Sequence, residues 1–230
     1  MNTSRVMISV LVPVLDEAAG IESMLQNLLG LHGDFEILVI DGGSADDTVE
    51  RARPYASVLV GERGRAAQMN QGARNAKGDV LLFLHADTTL PYNALRQIEG
   101  ALDDPAVVGG RFKLSLDSPR LVYRIVEKAI NLRDRLFGGF TGDQAIFVRA
   151  RAFLELGGYQ PIPLMEDLDL GARMSRRGKV VRLPLAATTS ARRWEKDGLF
   201  RTIFLMWCLR YSYFFGLPPT LLTRFYADTR

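Results

Sequence analysis

Residues 35–48 read FEILVIDGGSADDT: a largely apolar run from Phe35 to Ile40, a stop at Asp41, two glycines, and a polar helix start through Asp46 to Arg53. An apolar run of this length ended by turn residues is the pattern of a buried strand, and the helix start behind it completes a strand-loop-helix unit. The unit recurs on both sides. Upstream, Val6 to Val12 is apolar and β-branched and ends at Pro13, after which Ile21, Met24, Leu25, Leu28 and Leu29 recur at helical spacing before Gly30. Downstream, Val58 to Val60 and Val80 to Leu84 read as third and fourth strands, with a helix opening after Gly64 between them. Strands alternating with helices imply βαβ units and a mainly parallel sheet, which binds its ligand at the carboxyl ends of the strands.

Past residue 105 the alternation loosens. Val107 to Leu116 reads as strand, Leu121 to Leu136 as helix, Gln144 to Val148 as strand, Arg149 to Leu156 and Asp167 to Arg177 as helices, and Val180 to Leu183 as a last short strand. The expected division is a regular first half (1–110), a less regular second half (111–195) and a helical C-terminal appendage (196–230), all within one α/β domain.

Composition narrows the class. With 47% hydrophobic and 24% charged residues the chain is neither disordered nor collagen-like. Its 29 basic and 26 acidic residues leave a net charge of +3, too little to call for nucleic acid as partner. Cys208 is the only cysteine, which rules out an intrachain disulfide and favours a reducing, cytoplasmic setting. Leu199 to Leu217 is rich in Leu, Ile, Phe, Trp and Tyr, but Arg201 and Arg210 interrupt it, making it a poor membrane-spanning segment. It is expected to pack on the domain, with a peripheral contact to the inner face of a membrane or a homodimer contact as the alternatives.

Acidic residues gather where the strands end. The first strand leads into Pro13, Asp16 and Glu17, and the second into Asp41, Gly43 and Ser44. Such carboxylates can accept hydrogen bonds from a base N–H or from ribose hydroxyls, although Asp-Gly-Gly-Ser is equally a good turn before a helix N-cap. After the fourth strand, His85 and Asp87 lie two apart, so an extended backbone would turn them towards one metal or one ribose. Arg65 opens a helix after Gly64, a place suited to phosphate and equally to a solvent-facing guanidinium. Glu166, Asp167 and Asp169 crowd the start of a late helix, more acid than capping needs, which suggests a general base. Arg192, Arg193 and Trp194 pair guanidinium charge with an aromatic, suited to diphosphate charge and to stacking on a sugar or base.

Taken in order, these segments resemble the family 2 glycosyltransferases of the GT-A fold, from about Met7 to Trp194. The resemblance implies a Rossmann-like mixed, mainly parallel sheet flanked by helices, and inverting transfer of a sugar from a nucleotide-sugar donor, UDP-linked by family habit, to an acceptor hydroxyl. It implies donor-nucleotide contacts from Pro13, Asp16, Glu17, Asp41, Gly43, Ser44, Arg65, Asn70, His85 and Arg193. Gly142, Asp143, Gln144 and Trp194 would serve the donor sugar and acceptor, Asp167 with Glu166 the catalysis, and Asp87 a divalent metal, Mn2+ or Mg2+. Two departures stand out. His85 replaces the first Asp of the family's Asp-x-Asp motif, a variant that resembles a bacterial subset associated with arsenosugar-type gene clusters. Ser190 stands where the Gln-x-x-Arg-Trp motif has Gln, so processive polymer synthesis is not expected. Two rivals have weaker support. A nucleotidyltransferase wants a basic glycine-rich loop after the first strand, where Pro13 to Gly20 carries only acids, and retention of Glu166 and Asp167 speaks against a non-catalytic nucleotide-sugar-binding partner protein.

Overall fold

The structure, a computed structural model, describes residues 6–137 and 139–223, with the side chains at positions 136, 137, 193, 197 and 200 outside the description. The first half alternates as expected: β1 (Ile8–Val14), α1 (Ile21–Leu29), β2 (Phe35–Asp41), α2 (Thr48–Ala52), β3 (Ser57–Val60), α3 (Arg65–Asn75) and β4 (Val80–Phe83). A two-residue β5 (Thr88–Thr89) and α4 (Ala94–Leu102), neither predicted, follow. Then come β6 (Val107–Leu116), α5 (Leu121–Phe137), a 3-10 turn at Gly142–Gln144, β7 (Ile146–Arg149), α6 (Ala150–Glu155), α7 (Glu166–Arg177) and β8 (Lys179–Thr189). The appendage is α8 (Arg192–Asp197), α9 (Leu199–Phe214) and α10 (Pro219–Leu222).

The strands form one sheet in the order β3-β2-β1-β4-β7-β6-β8-β5. β1 to β4 are parallel, β7 runs against both β4 and β6, β8 is parallel to β6, and β5 is antiparallel to β8. The 110/111 boundary falls inside β6, so the two halves share this sheet. Both faces are covered, as a parallel sheet requires. On one, Ile8, Val10, Val12 and Val14 meet α1 and α4; on the other, Leu11, Leu38 and Ile40 meet α3, α6 and α7.

Beyond shifts of a residue or two at element ends, three departures from the sequence reading have a local reason. β1 runs through Pro13, which pairs with Ile40 in register, because β4 leaves β1 at Leu11 and Pro13 lacks only an N–H that no neighbour there requires. β8 continues past Pro184, which sits in a register shift against β6 between the Arg111–Arg182 and Lys113–Ala186 pairs, where a proline costs the ladder nothing. Gln144 is not in a strand but in the 3-10 turn, closed by a capping box with Thr141. Among the described residues, no helix is long and apolar enough to cross a membrane.

Candidate active site

A cleft of about 1130 Å³ opens at the carboxyl ends of β1 and β4, lined by Pro13, Asp16, Glu17, Arg65, Asn70, His85, Asp87, Asp143, Glu166, Arg192 and Trp194 among others. Most of the predicted site residues therefore converge on one cavity, though they do different things within it.

The floor is made by the β1 and β2 loops, which lace into each other. Asp16 holds a left-handed backbone at φ 54°, donates its N–H to Ser44 Oγ at 2.9 Å and accepts the Ala45 N–H at 2.7 Å. Glu17 N–H donates to Thr48 Oγ1 at 2.8 Å. Asp41 is buried and accepts from Gly43 N–H at 2.9 Å, Ser44 N–H at 3.1 Å and the Ser44 hydroxyl at 2.5 Å. Here the turn reading of Asp-Gly-Gly-Ser describes the contacts: Asp41, Gly43 and Ser44 close their own loop and do not line the cleft. Sequence reasoning missed the brace beneath it. Gln68, buried on α3, donates from Nε2 to the carbonyls of Val14 at 2.8 Å and Ile40 at 2.7 Å, tying together the two strand ends that carry the loops. A glutamine on an otherwise small and apolar helix face was the only signal.

Asn70 lines the cleft, yet its amide is spent on the backbone of Tyr159, donating to the carbonyl and accepting the N–H at 2.8 Å each. It holds α3 to the segment before α7. Arg65 lies 3.6 Å from Glu166, an ion pair across the cleft.

His85 and Asp87 do not lie in extended backbone. Thr88 N–H closes a turn onto the His85 carbonyl at 3.1 Å, and the two side chains part company. His85 Nδ1 meets Asp143 Oδ1 at 3.0 Å, with its ring against Gly142, where an added Cβ would come within 2.3 Å of Nε2. Asp87 stays exposed in the cleft, at 3.4 Å from the hydroxyls of Thr88 and Thr189. The β5–β8 pairing and a Ser190 N–H bond to the Asp87 carbonyl at 3.1 Å fix this loop. Among the described residues no three His, Cys, Asp or Glu side chains are grouped to hold a metal. An exposed carboxylate with long hydroxyl contacts nevertheless fits a hard cation such as Mg2+ or Mn2+ shared with ligand phosphate oxygens, which needs one or two protein carboxylates.

The far wall is the start of α7. Met165 turns the chain through a left-handed φ of 68° into Glu166 and Asp167. Asp169 is taken by Arg173 one turn on, at 2.6 Å, while Glu166 lines the cleft. Asp167 is half-buried and accepts the Gly142 N–H at 2.7 Å and its neighbour Leu168 N–H at 2.8 Å. Burial, and after it the charge of Glu166, push its carboxyl up to about 6; Arg65 and the two N–H groups oppose the rise. Gly142 thus serves Asp167 through its backbone. Gln144 is fully buried, accepting the Thr141 N–H at 3.1 Å and donating to Asp134. Of the arginine pair, Arg192 lines the cleft and comes within 3.8 Å of Glu17; the side chain of Arg193, assigned to the nucleotide, lies outside the described residues.

The sequence model of the family described as Glycosyl transferase family 2 matches residues 9–153. An undecaprenyl-phosphate 4-deoxy-4-formamido-L-arabinose transferase of Aeromonas hydrophila is 30% identical over 157 residues, 60% of this chain and 48% of that protein. A mannosyltransferase from Pyrobaculum calidifontis, solved with GDP-Man and Mn2+, shares the fold at TM-score 0.64 and 20% identity over 91% of this chain and 62% of its own. TarS of S. aureus, solved with UDP-GlcNAc, does so at TM-score 0.63 and 18% identity, covering 80% and 58%. The chain spans about one third to two thirds of the length of the curated relatives it matches. The matched segment runs from β1 into α6 and carries the β1 and β2 loops and the Asp87 turn: the chain belongs to the family 2 glycosyltransferases.

Proposed function

We propose that the protein transfers a sugar from a nucleotide-sugar donor to an acceptor hydroxyl, in one displacement with inversion at the anomeric carbon. The observation that carries this reading is the cleft itself, which brings the Asp16–Glu17 loop, Asp87, Arg65 and Glu166 around one cavity with Asp167 alongside. The solved relatives holding GDP-Man with Mn2+ and UDP-GlcNAc support a nucleotide-sugar as ligand.

In this reading Asp16 and Glu17 meet the nucleoside, and Arg192 with Arg65 supplies positive charge beside the diphosphate. Asp87 would hold a divalent metal, which when bound would supply positive charge against the leaving diphosphate. Asp167 takes the acceptor's proton as its oxygen bonds to the anomeric carbon. The bond from that carbon to the phosphate oxygen breaks, and the diphosphate leaves with the electron pair. A carboxyl titrating near 6 is ionised at neutral pH yet more basic than a surface carboxylate, which suits proton abstraction.

The test is calorimetric titration with UDP and with GDP, each with and without manganese, on the native chain and on Asp87→Ala. Manganese-dependent binding of one nucleotide, weakened at least about tenfold in the variant, is expected. Failure of both nucleotides to bind would sink the reading.

A further inference from the structure

The appendage carries a surface that the donor cleft does not use. Around α9, Arg201, Phe204, Trp207, Cys208, Tyr211, Phe214 and Phe215 are all exposed and recur at helical spacing, so this stripe is aromatic where a surface helix is ordinarily polar. Phe204 is 73% exposed and Phe214 82%, and an apolar groove of about 660 Å³ runs along the stripe. The opposite face is already occupied: Leu205, Leu209 and Tyr213 pack with Leu222 on Met165 and Leu168, at the start of α7. Ile203 and Leu199 pack with Tyr123 and Val126 of α5, which shows its own exposed stripe of Leu121, Ile125, Lys128, Leu132 and Arg135.

Charge decides what fits there. The two acids of α5, Glu127 and Asp134, are both buried, and α9 contains none, so every ionised side chain on the two stripes is a cation: Lys128, Arg135 and Arg201. A face meant for a second copy of itself would set these cations against one another. Exposed aromatics and aliphatics on two helices whose own exposed charges are all Lys and Arg instead match a bilayer surface, where the rings enter the headgroup boundary and the cations meet anionic lipid.

We propose that the α5–α9 face seats the protein on an anionic membrane surface as a peripheral protein, with Phe204, Trp207, Tyr211 and Phe214 inserted and Lys128, Arg135 and Arg201 on the headgroups. The α9–α10 unit packs on the segment leading into Glu166 and Asp167, and Thr223 and Leu164 line the cleft, so a seated protein holds one wall of its cleft near the lipid. Binding to lipid is independent of the donor chemistry proposed above.

The test is co-sedimentation of the whole chain with phosphatidylcholine vesicles, pure or containing about one third phosphatidylglycerol. Binding to the anionic vesicles only, weakened at least about tenfold by the pair Lys128→Glu and Arg201→Glu and by raised salt, is expected. The pair Phe204→Ser and Phe214→Ser should abolish binding while leaving the nucleotide titration unchanged, which shows that the fold and the donor site survive. Absence of vesicle binding by the native chain overturns the proposal, as does equal binding to neutral vesicles. A concentration-dependent dimer in sedimentation velocity that the Phe pair dissolves, without lipid binding, would assign the face to a second copy instead.

Discussion

Asp167 is the residue on which geometry and electrostatics agree most closely. Its carboxyl is pushed up to about 6 by burial and by Glu166, so its ionisation opposes folding. The penalty is absent below about pH 4, where the group is protonated folded or unfolded, and grows as pH rises from there to 6. At neutral pH Asp167→Asn should therefore abolish transfer, keep nucleotide affinity, and raise stability by about 1–3 kcal/mol, checked by product assay, calorimetry and thermal melts. Equal loss of transfer and nucleotide binding would remove Asp167 from its role. The kcat/KM for transfer should fall roughly tenfold per pH unit below about 6 as Asp167 takes up its proton; a flat profile down to pH 5 would point to another base. These acids were visible in the sequence as a cluster, but their separate roles were not. Asp169 turned out to be Arg173's partner, a division set by side-chain direction on the helix.

At the scale of elements, the site depends on two braces. Gln68 clamps the ends of β1 and β2; Gln68→Leu removes the donor to two strand-end carbonyls and should cost about 2–4 kcal/mol in urea unfolding. The Gly142–Gln144 turn binds His85 to Asp167's neighbourhood. Gly142→Ala drives a methyl into the His85 ring and should lower kcat at least about tenfold. In Gly142→Ala with His85→Ala the collision is gone, and part of that loss should be recovered, a coupling that a merely additive pair would not show. Neither brace was legible beforehand, because each joins residues tens of positions apart through a side chain that carries no motif. The central strands were legible in outline, since their apolar runs and terminating loops are local signals. β1 outran its predicted end because Pro13 was read as a stop where β4 had already parted from β1, and β8 runs on past Leu183 through a register shift against β6.

For the whole molecule, the cleft joins β1, β4, α3, α7 and the appendage, so donor binding should stabilise the domain as a unit. Saturating nucleotide with manganese, at about a hundred times its Kd, should add about 2.7 kcal/mol and raise the melting temperature by several degrees. The same nucleotide without manganese should add little, and Asp87→Ala should show no difference between the two conditions.

By itself the sequence determined the alternation of strands and helices, the parallel sheet, and the placing of acids at the strand ends, because hydrophobic period and turn chemistry are written over a few consecutive residues. The ordered set of weak motifs was enough to point to the family. Only the tertiary structure decided that His85 turns to Asp143 while Asp87 stays open, and that Asn70 and Gln144 serve the frame. Only it decided that Asp167 is half-buried beside Glu166 and Gly142. A side chain's partner, burial and charge state depend on elements brought together from distant parts of the chain, and no local pattern records them.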